Sequence, residues 1–512
     1  MNKVPTIIEM FEATVGKYGD KCAICSGDEQ ITYSGLKSFA MSIATGILKR
    51  TDSTGKSATV AIAMNKSPKC LAVMLGIMYS GNPYTVLDIK SPIERIEKIL
   101  DTLDSNIIIA DSKGAKALGK SKDIKAEILD VDELIGVESD HERIEQIKRN
   151  IVDTDPAYIL FTSGSTGVPK GTVVGHSSVV AYSRAVASTF SLDQETVFGS
   201  QTPFYFSMSV LDIFVTLYLG ATLVIIPKML FSFPIRLFDY MKEQCVNTIY
   251  WVPTAMELVA DRGLFNSYDA TFLKNVLFAG EPLPSKYLNI WKDALPKALF
   301  ANLYGPTEVT DTCTYYICQE KMDISKSIPI GCHFDNCDVF LLDESNRKIE
   351  PGSEGMGEIC VRGPFLAYGY YNNPEQTAKA FVQNPVNPHY PEMIYRTGDL
   401  GMWMDDENLI YAGRKDNQIK HLGYRIELGE IENVVAAIEQ MDIAVAIYEE
   451  SVDEIVLCYN GSADEQDVLA EANKLLPSYM RPSRVVRFDA FPINSNGKID
   501  RKKMKETIKK AE

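Results

Sequence analysis

Tyr158-Ile-Leu-Phe-Thr-Ser-Gly-Ser-Thr-Gly-Val-Pro-Lys170-Gly171 is the stretch from which the rest of the chain can be read. The apolar run Tyr158–Phe161 predicts a short buried strand, and it opens into hydroxyls and glycines that end in one lysine. Such a loop suits phosphate. Glycines, here Gly164 and Gly167, let backbone N–H groups approach phosphate oxygens; Thr162, Ser163, Ser165 and Thr166 add hydroxyl donors; Lys170 adds a mobile positive charge. The plainer reading of the same residues is a flexible surface loop. A Walker A loop is excluded, because that pattern needs Gly-Lys-Ser/Thr, whereas Pro169 precedes Lys170 and Gly171 follows it.

Outward from this loop, the chain of 512 residues is long enough for two or more domains. Residues 1–150 alternate amphipathic helical stretches with apolar runs, as in Ser34–Leu48, Thr59–Met64 and Lys69–Tyr79, and Ile107–Asp111 is a further buried-strand candidate. After the loop come a helix-like Ser177–Thr189 and strand-like Val197–Tyr205, Ala221–Pro227 and Asn247–Val252. That alternation predicts an α/β fold with a mostly parallel sheet. From Val339 the runs become short and β-like, at Val339–Leu342, Gly357–Val361 and Leu409–Ala412, which suggests a β-rich subdomain. The glycine-punctuated, charged segment Gly413–Glu427 then precedes a helix pattern at Gly429–Gln440, strand-like Ile443–Tyr448 and Glu454–Tyr459, and helix-like Glu465–Leu476. We therefore expect a large N-terminal region of layered α/β subdomains plus the β-rich subdomain, residues 1–415, followed by a small mobile α+β lid, residues 416–512.

A net charge of −16 argues against general binding to nucleic acid. The basic end Lys498–Lys510 reads as a solvated final helix. The N-terminus lacks a signal pattern, and no stretch approaches the roughly 20 apolar residues of a membrane span, so a cytoplasmic protein is expected. The ten cysteines are scattered through apolar segments, as suits reduced, buried thiols.

Four more stretches carry chemistry: Asn302-Leu-Tyr-Gly-Pro-Thr-Glu308, Tyr395-Arg-Thr-Gly-Asp-Leu400, Gly413-Arg-Lys-Asp416 and Pro492-Ile-Asn-Ser-Asn-Gly-Lys-Ile-Asp-Arg501. An aromatic face suits a base, a carboxylate is a pure acceptor for ribose hydroxyls, and a hard oxygen suits Mg²⁺. Together with Thr162–Gly171, these stretches resemble the signature motifs of the adenylate-forming superfamily: acyl-CoA synthetases, luciferases and the adenylation domains of nonribosomal peptide synthetases. The resemblance extends over nearly the whole chain. It implies an AMP-forming acid–thiol ligase that uses ATP and Mg²⁺. The loop Thr162–Lys170 would bind ATP phosphates, Tyr304 would stack on adenine, Thr307 would contact the α-phosphate, and Glu308 would help hold Mg²⁺. Asp399 would accept from the ribose, Arg414 would reach ribose or phosphate, Asp416 would be the hinge, and Lys498 would bridge carboxylate and phosphate as charge develops.

The texture is closest to that of stand-alone amino-acid-activating enzymes such as D-alanine–carrier protein ligases, through Phe278-Ala-Gly-Glu-Pro-Leu-Pro284 and Ser478-Tyr-Met-Arg-Pro482. Those ligases carry an aspartate at the place of Ser207 and a cysteine at the place of Ala279. The family's acyl pocket maps to Ser207, Met208, Leu211, Tyr250, Leu277, Ala279, Leu303, Asp311 and Thr312. With a serine where the ammonium partner stands, the expected substrate is a carboxylic acid without an α-amino group, whose distal polar or cationic group reaches Asp311. The rival is an amino-acid ligase in which Asp311 has taken over the ammonium. No Leu-Gly-Gly-x-Ser carrier motif is present, so the thiol acceptor is expected to be a separate carrier protein or coenzyme A. A catalytically silent nucleotide-binding protein is the competing class, and a lysine at position 498 is superfluous to it.

Overall fold

Ser67 and Pro68 open a helix, Pro68–Tyr79, in which every residue from Cys70 to Tyr79 is buried. The Ser67 hydroxyl accepts from the Cys70 N–H, and proline at the first turn loses no intrahelical bond. Gly76 lets this helix approach Tyr33–Leu48, because a Cβ there would lie 2.9 Å from the Ala40 carbonyl. Thr6 and Glu9 close a capping box on the helix Ile7–Tyr18. The computed structural model describes residues 5–50, 59–164, 167–416, 418–436, 438–450, 452–493 and 499–510. They fall into a larger unit, Met1–Ile89, Leu100–Phe161 and Gly171–Lys415, and a smaller one, Lys90–Ile99, Thr162–Lys170 and Asp416–Glu512.

The larger unit is α/β. Its nine-stranded sheet has a parallel centre running Leu299–Tyr304, Asn275–Ala279, Thr248–Trp251, Val197–Ser200, Thr222–Ile225 and Cys22–Ser26, with antiparallel strands at its edges. A seven-stranded sheet holds Pro156–Thr162 next to Tyr84–Val86, which continues in parallel to Val60–Ala63, Ile107–Ala110 and Glu127–Asp130. The third sheet, of six strands, is the expected β-rich subdomain, and its antiparallel strands include Met356–Arg362, Met393–Trp403 and Leu409–Arg414.

The smaller unit is α+β. A hairpin, Gln418–His421 with Tyr424–Glu427, turns on Leu422 and Gly423, both at positive φ. The helix Leu428–Val435, the antiparallel pair Met441–Glu449 and Glu454–Gly461, the helix Glu465–Leu475 and the strand Arg484–Arg487 follow. Ile426, Ile431, Val435, Leu457, Val468 and Ala472 form its core.

Two elements are shorter than their apolar runs predict. The strand expected over Val197–Tyr205 ends at Ser200, ahead of Pro203, which has no N–H for a ladder. The helix expected over Gly429–Gln440 ends at Val435, and Met441 has already entered strand pairing with Gly461. Among the described residues, no helix is long and apolar enough to cross a membrane.

Candidate active site

Strand alternation places four of the expected pocket positions. In the parallel register Tyr250 lies beside Leu277, and Ala279 beside Leu303. Residues two apart on a strand share a face, so Tyr250, Leu277, Ala279 and Leu303 line one side of the sheet and join one core cluster. Trp251 and Phe278, on the other face, belong to a second cluster. These are the carboxyl ends of parallel strands, where ligands bind in open α/β sheets. Gly280 follows Ala279 at φ +99°, and a Cβ there would lie 3.3 Å from the sulfur of Met208. Leu211 opens a short π-helix, Leu211–Val215, a feature frequent at functional sites. Ser207 accepts a hydrogen bond from Thr307 Oγ1 at 3.1 Å, so two hydroxyls meet at the position where the resemblance leads one to expect a carboxylate.

Past Tyr304 the chain makes a single helical turn, Thr307–Val309, and then a γ-turn centred on Thr310 at φ +74°, ψ −60°, closed by the Asp311 N–H donating to the Val309 carbonyl at 2.9 Å. For a β-branched residue this backbone is strained, and such strain persists where the surroundings enforce it. Here the Thr310 hydroxyl donates to the Phe365 carbonyl at 2.8 Å. The turn sends the Asp311 carboxylate into the interior, where Oδ2 accepts from Tyr182 at 2.8 Å and from Tyr250 at 3.1 Å, and Tyr182 also meets Thr312 Oγ1 at 2.9 Å. Burial pushes the Asp311 carboxyl up to about 8, against the lowering effect of the two phenols. Glu308 is fully buried, and its Oε1 accepts from the Tyr370 hydroxyl at 2.7 Å.

Asp399 and Arg414 stand directly opposite each other on adjacent strands and form an ion pair. Tyr304 Oη donates to Asp399 Oδ2 at 2.5 Å, which joins the Tyr304 turn to the third sheet. Burial, reinforced by the Asp399 charge, pushes the Tyr304 phenol well above its ordinary range. Glu358 fixes the approach to Asp399, accepting from the Gly398 N–H at 3.1 Å, Arg396 Nε at 2.7 Å and Lys415 Nζ at 3.2 Å.

In the smaller unit, Thr162 Oγ1 is buried without a hydrogen-bond partner among the described residues. Ser163 Oγ donates to the Arg425 carbonyl at 2.7 Å and accepts from the Glu427 N–H at 3.1 Å. Gly164 N–H donates to Glu430 at 3.0 Å, and Lys170 lies 3.4 Å from Glu427. Gly167 adopts φ +78° in the loop, and Asp416 Oδ1 accepts from the Gln418 N–H at 3.2 Å. Ser165, Thr166 and Lys498 lie outside the described residues.

Sequence reasoning missed Tyr182, Thr310, Glu358, Tyr370, Glu427, Glu430 and Arg95, which forms an ion pair with Glu430. Of these, only the carboxylate run of Glu427, Glu430 and Glu432 left a trace, and it reads as the acidic first turn of a helix. The others act through partners far away in sequence.

A largely parallel sheet that carries Tyr250, Leu277, Ala279 and Leu303 at the carboxyl ends of its strands, with the Tyr304–Asp399–Arg414 cluster tied to the same end, defines an α/β protein of the class that binds ligands at that edge. The sequence pattern of the AMP-binding enzyme family matches residues 11–371, and the chain belongs to that family, within the adenylate-forming superfamily. Tyrocidine synthase 1 of Brevibacillus parabrevis is 31% identical over 98% of this chain, which spans 45% of that relative's length. Among solved structures, IdnL1 is similar at 26% identity and TM-score 0.80, covering 96% of this chain and 100% of its own. The Vibrio cholerae adenylation domain AlmE, solved with glycyl-adenosine-5'-phosphate, shares the fold at TM-score 0.83 and 24% identity, over 98% of each chain.

Proposed function

We propose that this chain activates a carboxylic acid with ATP and passes the acyl group to a thiol. In the first half-reaction a carboxylate oxygen attacks the α-phosphorus; the acid–phosphate bond forms, the bond to the β-phosphate oxygen breaks, and pyrophosphate leaves with its electron pair. In the second, a thiolate attacks the acyl carbon, giving a thioester and AMP. Neither step needs a covalent protein nucleophile, so positioning and charge neutralisation carry the catalysis.

The observation that carries this reading is the joining of Tyr304 to the Asp399–Arg414 pair, which gathers an aromatic face, a carboxylate and a guanidinium around one end of the sheet. We assign adenine to Tyr304, the ribose hydroxyls to Asp399 and Arg414, and the α-phosphate to Thr307. The phosphates fall to the loop Thr162–Lys170. There the Thr162 hydroxyl, buried without a partner among the described residues, suits a phosphate oxygen. Mg²⁺ takes one or two carboxylates and completes its shell with water and phosphate oxygens, and the buried Glu308 fits that demand. When bound, the ion neutralises phosphate charge. Lys498 supplies a point cation between the two anions, and Asp416 is the hinge about which residues 416–512 reorient between half-reactions.

For the substrate, we read the Ser207–Thr307 hydroxyl pair as the seat of an acid without an α-amino group, because an unpaired ammonium there would cost several kcal/mol. The body of the acid meets Met208, Leu211, Leu277, Ala279 and Leu303, and its distal polar or cationic group meets Asp311. A second reading has the glycyl-adenylate bound by AlmE in its favour: an amino acid posed with its ammonium on Asp311. The acceptor is a carrier-protein phosphopantetheine or coenzyme A. Mass spectrometry of the protein incubated with ATP and a panel of acids tests the reading; an acyl-AMP that is consumed on adding a thiol is expected, and ADP as the product would overturn it.

A further inference from the structure

Three donors of the phosphate loop, Ser163 Oγ, the Gly164 N–H and Lys170 Nζ, already have partners within the smaller unit, and two of those partners are carboxylates. Gly164 N–H donates to Glu430 Oε2 at 3.0 Å, and Lys170 Nζ lies 3.4 Å from Glu427 Oε1. Ser163 bonds the backbone of Arg425 and Glu427. Both carboxylates are built in. Glu430 is 1% exposed and is ion-paired with Arg95; Glu427 is 9% exposed, and its Oε1 also accepts from Gln418 Nε2 at 2.6 Å. The helix Leu428–Val435 comes so near the loop that a Cβ on Gly167 would lie 3.0 Å from the Cβ of Asn433.

A phosphate ester and a carboxylate make the same demands: negative oxygens that accept from backbone N–H, hydroxyl and ammonium. We propose that Glu427 and Glu430 stand in for phosphate groups, so that this arrangement and a loop filled by a polyphosphate exclude each other. One Gly164 N–H cannot serve both acceptors, and two carboxylates beside a polyphosphate repel it. The inference rests on the assignment of ATP phosphates to this loop and adds an order to the reaction. The contacts of Glu427 and Glu430 form only after pyrophosphate has left, and they then hold the loop closed to its return. Arg95 anchors the more deeply buried of the two carboxylates and is a positioning residue.

The probe is inorganic pyrophosphate with Mg²⁺ and no acid, titrated calorimetrically into the full chain and into the Glu427→Gln/Glu430→Gln double variant. A competitor weakens apparent affinity in proportion to the fraction of loops it leaves open, so the variant should bind pyrophosphate more tightly than the unsubstituted protein, by about tenfold where the carboxylates hold most of the loops. Should the variant fail to fold, hydrogen exchange on the unsubstituted protein gives the answer independently, because the Glu427 N–H is donated to Ser163. Saturating pyrophosphate should accelerate exchange of that amide several-fold. Equal affinities in both proteins, or an unchanged Glu427 amide at saturation, overturn the inference while leaving the nucleotide assignment intact. Absence of binding by both pyrophosphate and ATP, in either protein, overturns the assignment of the loop itself.

Discussion

Tyr304 donates a 2.5 Å hydrogen bond to Asp399, 95 residues further along the chain, and both side chains are buried. The bond fixes the turn that carries Thr307 and Glu308 against the strand that carries Asp399. Tyr304→Phe keeps the ring for stacking and loses a bond to a charged acceptor, worth roughly 1.5–3 kcal/mol. Denaturant unfolding should show a loss of that size, with the KM for ATP changed only a few-fold. Asp399→Asn, which removes the carboxylate charge and one of its two acceptor oxygens, should raise that KM at least tenfold. An Asp399→Asn KM equal to that of the unsubstituted protein would remove the ribose from Asp399.

Asp311 sets a pH dependence of stability. Its carboxyl is pushed up to about 8 by burial, above the usual aspartate value near ~3.9 of the unfolded chain. The folded state therefore holds a proton that the unfolded state releases, and the associated stability is complete below about pH 4 and is lost as pH rises to about 8. Asp311→Asn lacks this titration. The melting temperature of the variant should gain on that of the unsubstituted protein steadily between pH 4 and 8; a constant difference across that window would show that the carboxyl is ionised throughout.

Lys498 follows Asn496-Gly497 in the sequence, a dipeptide that favours turns. Lys498→Ala should leave thermal stability within the narrow range usual for surface substitutions, while acid-dependent exchange of pyrophosphate into ATP falls by orders of magnitude. Retained exchange removes Lys498 from the adenylation step.

Asp416→Pro tests the hinge. Proline holds φ near about −65° and hinders a backbone rotation. Rapid-quench measurement of the two half-reactions should give near-normal acyl-adenylate formation and slow thioester formation. Equal loss of both would signal disrupted folding rather than a blocked hinge.

The local elements were legible because their signals are local. Apolar runs mark the strands Pro156–Thr162 and Ile107–Ala110, and amphipathic periodicity over Lys69–Tyr79 and Ser34–Leu48 marks the helices Pro68–Tyr79 and Tyr33–Leu48. The resemblance of five short motifs supplied the candidate site. What joins the motifs was not legible. Tyr182 reads as one more aromatic on a buried helix until the strained turn at Thr310 delivers Asp311 to it. Tyr370 and Glu308 lie 62 residues apart, and Gly164 and Glu430 lie 266 apart. No periodicity encodes such distances; they follow from how sheets and loops stack.

The most direct measurement is pyrophosphate exchange into ATP with pairs of acids that differ only by an α-amino group, for the unsubstituted protein and for Ser207→Asp. The account predicts exchange with the acid that lacks the amino group, little with its amino partner, and a shift toward the amino acid once Ser207 is aspartate. Preference of the unsubstituted protein for the α-amino acid, with no further gain in Ser207→Asp, would contradict the substrate assignment, and the absence of exchange with every acid tried would contradict adenylation itself.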